Sequence, residues 1–120
     1  MSSPLPLVVI IRPTEFKFAD PGAAIEKAAL AGIAEVRTVT VALHAPLPDE
    51  VLGAAAIILW HGPVIDDAVI GRLRACRVLI RNGVGFDTVD TAAAARRGIP
   101  VCNVPDYGTE EVADHALALT

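Results

Sequence analysis

Five short apolar runs punctuate the chain, opening at about Leu7 (LVVII), Ala34 (AEVRTV), Ala55 (AAIILW), Val78 (VLIR) and Pro100 (PVCNV). Their length and their β-branched residues predict strands, and each is followed by a segment compatible with a helix, so five βα units are expected. AAIILW is apolar at nearly every position, as a strand covered on both faces is, and right-handed crossovers between such strands make a parallel sheet. The expected fold is therefore α/β, a flavodoxin-like doubly wound five-stranded parallel sheet, in one domain over residues 1–120. The punctuation agrees with the pattern. Asp20 is placed to cap the first helix with Pro21 at its first position and Gly32 past its end; Asp90 precedes TAAAARR, which closes at Gly98. LHAPLPDE (Leu43 to Glu50) reads as a Pro-containing turn before a short helix.

In a doubly wound sheet, ligands bind beyond the carboxyl ends of the strands, near the point where strand order reverses. Those ends carry Arg12-Pro13, Trp60-His61-Gly62, Arg81-Asn82-Gly83-Val84-Gly85 and Asn103-Val104-Pro105. A phosphoryl-accepting receiver domain would need an acidic pair after the first strand, an Asp after the third and a Lys after the fifth, and none is present. A flavin mononucleotide site is poorly supported, because the first βα turn, RPTEFKFADPG, is not a run of hydroxyl and glycine residues able to wrap a phosphate.

The glycine-rich turn follows the fourth strand. A dinucleotide fingerprint, G-x-G-x-x-G, would need a third glycine where Thr88 stands, and it opens its own domain rather than following some eighty residues. The turn is therefore not expected to hold a dinucleotide phosphate. Two readings stay open on spacing alone: a nest of backbone N–H groups suited to a carboxylate, or a tight strand-to-helix turn with no ligand. Asp90 is positioned to cap a helix and Asp87 to fix the turn, so neither is assigned to catalysis.

Composition narrows the partners. The formal charge of −4 argues against a nucleic-acid partner, and the arginines of RLRACRVLIR read as mostly solvated helix-end charges. The longest apolar run, Val51 to Trp60, is about half of the roughly 20 residues that a membrane span needs, and no targeting segment is evident at the N-terminus. A soluble, cytoplasmic protein with no membrane partner is expected. Cys76 and Cys102 form no C-x-x-C and have no histidine at ligand spacing, so reduced thiols are expected rather than a disulfide or a metal site.

RNGVGFDTVD, GIPVCNVP and VADHALAL follow one another in order, separated by an alanine-rich helix and a short linker. From Ala55 to Thr120 the sequence resembles the substrate-binding half of the D-isomer-specific 2-hydroxyacid dehydrogenases, closest to the branch containing phosphoglycerate dehydrogenases and the C-terminal-binding-protein corepressors. Residues 1–54 match it only in βαβ rhythm. The resemblance implies that Gly83, Val84 and Gly85 cradle the carboxylate of a small 2-oxo or 2-hydroxy acid on the amides of Val84 and Gly85. It makes Arg81 a second anion contact, places His61 and Asn103 beside substrate, and sets Val112 against the nicotinamide. For Arg81 the competing reading is an ordinary surface arginine; for His61, a capping or solvated histidine; for Asn103, a residue satisfying the following turn.

The same resemblance implies what this stretch does not supply. NAD is held in such enzymes by a separate Rossmann domain, and the catalytic Arg, Glu and His come from downstream, so no catalytic residue is assigned here and His115 is not the catalytic histidine. The last helix, capped by Thr109 with Glu110 and Glu111 in its first turn, would cross between domains with Leu117 and Leu119 buried there. The parent protein is expected to exceed about 300 residues, to pair as a homodimer through the other domain, and to be inactive when cut to these residues. A peptide-binding module of the corepressor kind is the alternative.

Overall fold

A computed structural model of the protein describes residues 4–15, 22–60, 62–83, 85, 87–104, 113 and 116–119. Five parallel strands, β1 (Leu7–Pro13), β2 (Glu35–Val41), β3 (Ala56–Leu59), β4 (Val78–Arg81) and β5 (Val101–Cys102), form one sheet in the order β2-β1-β3-β4-β5. The chain steps outward from β1 to β2, returns past β1, and then proceeds in the other direction. The carboxyl ends of β1 and β3 therefore flank the switch point, and β4 lies next to them.

The central strands are apolar because both their faces are covered. Val8 to Ile11 on β1 are all buried, and Val9, Ile11, Ile57, Leu59 and Leu79 join one core with Ile70 of α2 (Asp67–Arg72) and Ala93 and Ala94 of α3 (Thr91–Arg96). Each fully buried aliphatic side chain contributes about 1.5–3 kcal/mol, so this layer dominates the stability of the sheet. The edges are managed differently. β2 carries an exposed Arg37–Glu35 pair at 2.8 Å, and β5 pairs over two residues only, which leaves little open ladder for a stray strand.

Local signals explain the helix ends after β3 and β4. Asp90 Oδ1 accepts the Ala93 N–H at 2.9 Å and Asp66 Oδ1 the Val69 N–H at 2.9 Å, satisfying N-terminal donors of α3 and α2. Gly98 closes α3 at φ +70°, a conformation that costs an L-residue with a side chain roughly 1–2 kcal/mol.

One expectation is corrected. The first helix, α1, runs Ala24–Ala29, three residues later than Pro21 would begin it; Asp20 and Pro21 lie outside the described residues. Buried Ala23, at φ 55° and ψ 48°, stands immediately before α1, and a right-handed helix does not continue through a left-handed residue. After β2 the Pro-containing turn leads, as expected, into a short helix, which is of the 3-10 kind. Between Pro46-Leu47-Pro48 and Gly53 there is room only for the 3-10 turn Asp49–Val51, so the second βα unit is vestigial. Thr109, Glu110, Glu111 and His115 lie outside the described residues.

Candidate functional site

In a parallel pair, partnered residues point to the same face, so register follows side chains across the sheet. One such row runs Val39, Ile11, Leu59, Arg81, from β2 to β4. Its first three members are buried and apolar, and its last is an arginine only 6% exposed. Arg81 is therefore not a surface arginine, and it differs from Arg72, Arg74 and Arg77, which are exposed as the charge pattern of RLRACRVLIR predicts. Burying a guanidinium requires acceptors. Its Nη1 donates to Asn82 O at 3.1 Å and, more weakly, to Leu59 O at 3.4 Å.

The glycine turn leaves β4 at this point and is anchored on both sides. The Asn82 N–H donates to Leu59 O at 2.7 Å and the Val104 N–H to Gly83 O at 2.9 Å, so the turn is stitched to β3 and to the segment after β5. Beyond it, the Ile65 N–H donates to Thr88 O at 2.8 Å and the Asp90 N–H to Ile65 O at 2.9 Å, forming a one-residue parallel bridge between Ile65 and Val89. Between these anchors, Gly85 is exposed. The half-buried Asn103 precedes the Val104 clip and is thereby brought beside Gly83.

The two glycines have different reasons to be glycine. Neither has a φ in the left-handed range. A Cβ on buried Gly83 would lie 3.0 Å from Arg81 Nη1 and 3.5 Å from its Cζ, so glycine there makes room for the guanidinium. A Cβ on exposed Gly85 would meet only Asp87 Oδ1, at 3.5 Å, an ordinary contact. Among the described residues, neither conformation nor packing demands a glycine at 85. The open space over it is what an incoming ligand needs in order to reach the backbone.

At the switch point itself stands a pair that strand periodicity does not single out. Arg12, 4% exposed at the end of β1, lies with its Cζ 5.4 Å from the centroid of the half-buried Trp60 ring, within cation–π range. The signal available in the sequence is an arginine closing an otherwise apolar strand, directly before a proline. Nearby, Glu15 accepts the Leu43 N–H at 3.1 and 3.2 Å and ties the β1 and β2 ends together. Local desolvation pushes the Glu15 carboxyl up, but the N–H groups of Leu43 and Glu15 itself, the Thr14 hydroxyl and the nearby His44 outweigh it and hold the group below the ordinary glutamate value.

Arg81, Gly83, Gly85 and Asn103 thus gather at one place, while His61, Val84 and Val112 lie outside the described residues. Elsewhere, an open groove of about 510 Å³ lined by Pro4, Leu7, Gly53, Ala55, Ala75 and Arg77 lies at the amino ends of β1, β3 and β4, the wrong edge for this topology. The described residues include no cluster of His, Cys, Asp and Glu able to hold a metal and no helix long and apolar enough to cross a membrane. Cys76 and Cys102 are free thiols, and burial pushes the Cys76 thiol up despite its bond to Val78 O.

The described residues do not build a cradle for a dinucleotide. The turn after β1, where a pyrophosphate would sit, presents the Glu15 carboxylate, and the first glycine of the turn after β4 is covered by a guanidinium.

A parallel sheet of order 2-1-3-4-5 with helices packed on it defines a flavodoxin-like α/β domain. Residues 11–119 match the D-isomer specific 2-hydroxyacid dehydrogenase, catalytic domain, and the chain belongs to that family. It is 35% identical over 115 residues to a D-3-phosphoglycerate dehydrogenase of Mycobacterium leprae (strain TN), covering 96% of this chain but 20% of that protein. The chain therefore spans about a fifth of that curated relative. An NAD-dependent formate dehydrogenase from Staphylococcus aureus, solved in complex with NAD, superposes with a TM-score of 0.71 at 25% identity, over 93% of this chain and 36% of that one. A D-lactate dehydrogenase from Aquifex aeolicus, complexed with NAD and lactic acid, shares the fold at a TM-score of 0.73 and 20% identity, over 92% and 32% of the two chains.

Proposed function

We propose that these residues form the N-terminal substrate-binding domain of an NAD-dependent dehydrogenase that transfers a hydride between the cofactor and a small 2-hydroxy or 2-oxo acid. The observation that carries this reading is Gly85: exposed, at a turn anchored on both sides, and with space over its backbone that nothing among the described residues fills. The substrate carboxylate sits on the amides of Val84 and Gly85, each charge-assisted bond contributing about 1.5–3 kcal/mol. Gly83, Arg81 and Asn103 frame that turn, and His61 approaches from the end of β3. NAD enters from a nucleotide-binding domain outside residues 1–120, with Val112 against the nicotinamide, and the catalytic side chains come from there too. Leu117 and Leu119, 73% and 75% exposed here, are covered by that domain in a cytoplasmic homodimer.

Within this stretch the chemistry is binding and orientation. Fixed amides hold the acid so that its reacting carbon faces the cofactor, and no proton or hydride moves on a residue of this domain. The test mixes the full-length protein with NADH and glyoxylate, pyruvate or hydroxypyruvate and follows the cofactor absorbance. A fall with at least one acid is the expected result. No turnover with any 2-oxo acid, together with saturable binding of a short peptide, would replace the enzyme by a recognition module.

A further inference from the structure

We infer that Arg81 is a positioning residue: its guanidinium braces the glycine turn from behind and fixes the aim of the turn's amides, instead of supplying the charge that meets the substrate. The inference rests on the reading of the turn as a carboxylate cradle and specifies how that cradle is held.

The peptide unit joining Asn82 to Gly83 is pinned on both its polar groups by one residue. Its carbonyl, Asn82 O, accepts from Arg81 Nη1 at 3.1 Å, and its N–H, on Gly83, donates to Arg81 O at 2.9 Å. A peptide unit is planar, so holding both ends fixes its orientation. The same Nη1 reaches Leu59 O, which also accepts the Asn82 N–H, and so β3, β4 and the turn meet at one carbonyl. The guanidinium lies against Gly83, within 3.0 to 3.7 Å of where a Cβ would be, and Gly83 O is clipped by the Val104 N–H. A flat group with several donors can fill that space and make these bonds at once. A lysine ammonium carries the same charge but has neither the plane nor the fork.

These contacts separate a brace from a charge contact experimentally. In the full-length protein, KM for the 2-oxo acid, the NADH Kd and Tm are measured for Arg81→Lys, Arg81→Ala, Gly83→Ala and the double variant Arg81→Ala/Gly83→Ala. For a brace, Arg81→Lys and Arg81→Ala raise KM alike, by about 10-fold, with NADH affinity unchanged. Gly83→Ala does the same by evicting the guanidinium. Added to Arg81→Ala, it has less than about a twofold further effect, because the space is already open. Rescue by Arg81→Lys, or independent multiplication of the two single effects, would overturn the brace in favour of a direct contact.

Hydrogen exchange at the Asn82 and Val104 amides gives a readout that needs no substrate. Both Arg81 variants are expected to accelerate it by about 10-fold or more, and unchanged exchange overturns the inference. Failure of the cradle reading looks different: Gly85→Val leaves KM for every 2-oxo acid as in the wild type, whatever Arg81 does.

Discussion

Replacing Gly85 by valine places a branched side chain over the backbone that is proposed to receive a carboxylate. The structure offers little resistance to the change. Gly85 is exposed, its φ lies outside the left-handed range, and a Cβ would sit 3.5 Å from Asp87 Oδ1. Folding stability should therefore stay within about 0.5 kcal/mol of the wild type, as for an exposed substitution that breaks no contact. Substrate binding has no such tolerance. Blocking one charge-assisted bond removes about 1.5–3 kcal/mol, which at about 1.4 kcal/mol per factor of ten is roughly a 10- to 100-fold rise in KM for the 2-oxo acid. Steady-state kinetics on the full-length protein, with thermal melting and NADH titration in parallel, separate the two effects. An unchanged KM would refute the cradle. A large drop in Tm accompanied by equal losses of acid and NADH affinity would show that Gly85 is a structural residue, contrary to the geometry.

Asp90→Ala removes the side-chain acceptor of the Ala93 N–H and should destabilise the protein by about 1 kcal/mol, read as a Tm lower by a few degrees, with Asp90→Asn restoring most of it. Glu15 provides a pH dependence whose sign is fixed by its lowered pKa: the stabilisation it gives is complete above the unfolded glutamate value and is lost as pH falls through the lower folded value. The Leu43 amide signal, followed by nuclear magnetic resonance against pH, should move with a midpoint below that of an ordinary glutamate, and a midpoint at or above it would contradict the assigned bonds.

The parts of the fold that were legible in the sequence are those where one residue type has one physical reason. β1 reads as a strand because covering both its faces leaves no position for a polar side chain, and the interruption at Arg12 marks its end. α3 reads correctly at both ends because an aspartate cap and a left-handed glycine leave unambiguous residues behind. The start of α1 had no such mark. Alanine is a poor left-handed residue, so Ala23 carries no signal for the turn that it makes immediately before α1. After β2, two prolines and a glycine confine the chain to a single 3-10 turn. The prolines made the turn and its short helix legible, but nothing in the hydrophobic pattern separates a single 3-10 turn from the start of an α-helix.

At the site, the sequence carries the position of the turn but not the division of labour within it. G-x-G reads as an anion nest or a tight strand-to-helix turn, in both of which glycine is usually chosen for φ, yet neither Gly83 nor Gly85 has a φ in the left-handed range. Gly83 is small because Arg81, two residues earlier, folds back over it, and an arginine at the end of VLIR reads just as well as a solvated charge. The pairing that decides between these readings is local, since the residue two positions after the arginine lacks the Cβ that would exclude the guanidinium. Gly85 is small toward the outside. Two glycines one residue apart thus serve opposite faces of one turn, the inner one admitting the brace and the outer one leaving the backbone open. It follows that a substitution at 83 should cost little more once residue 81 has been shrunk, whereas one at 85 should cost as much with alanine at 81 as with arginine, an asymmetry that a turn chosen only for backbone freedom would lack.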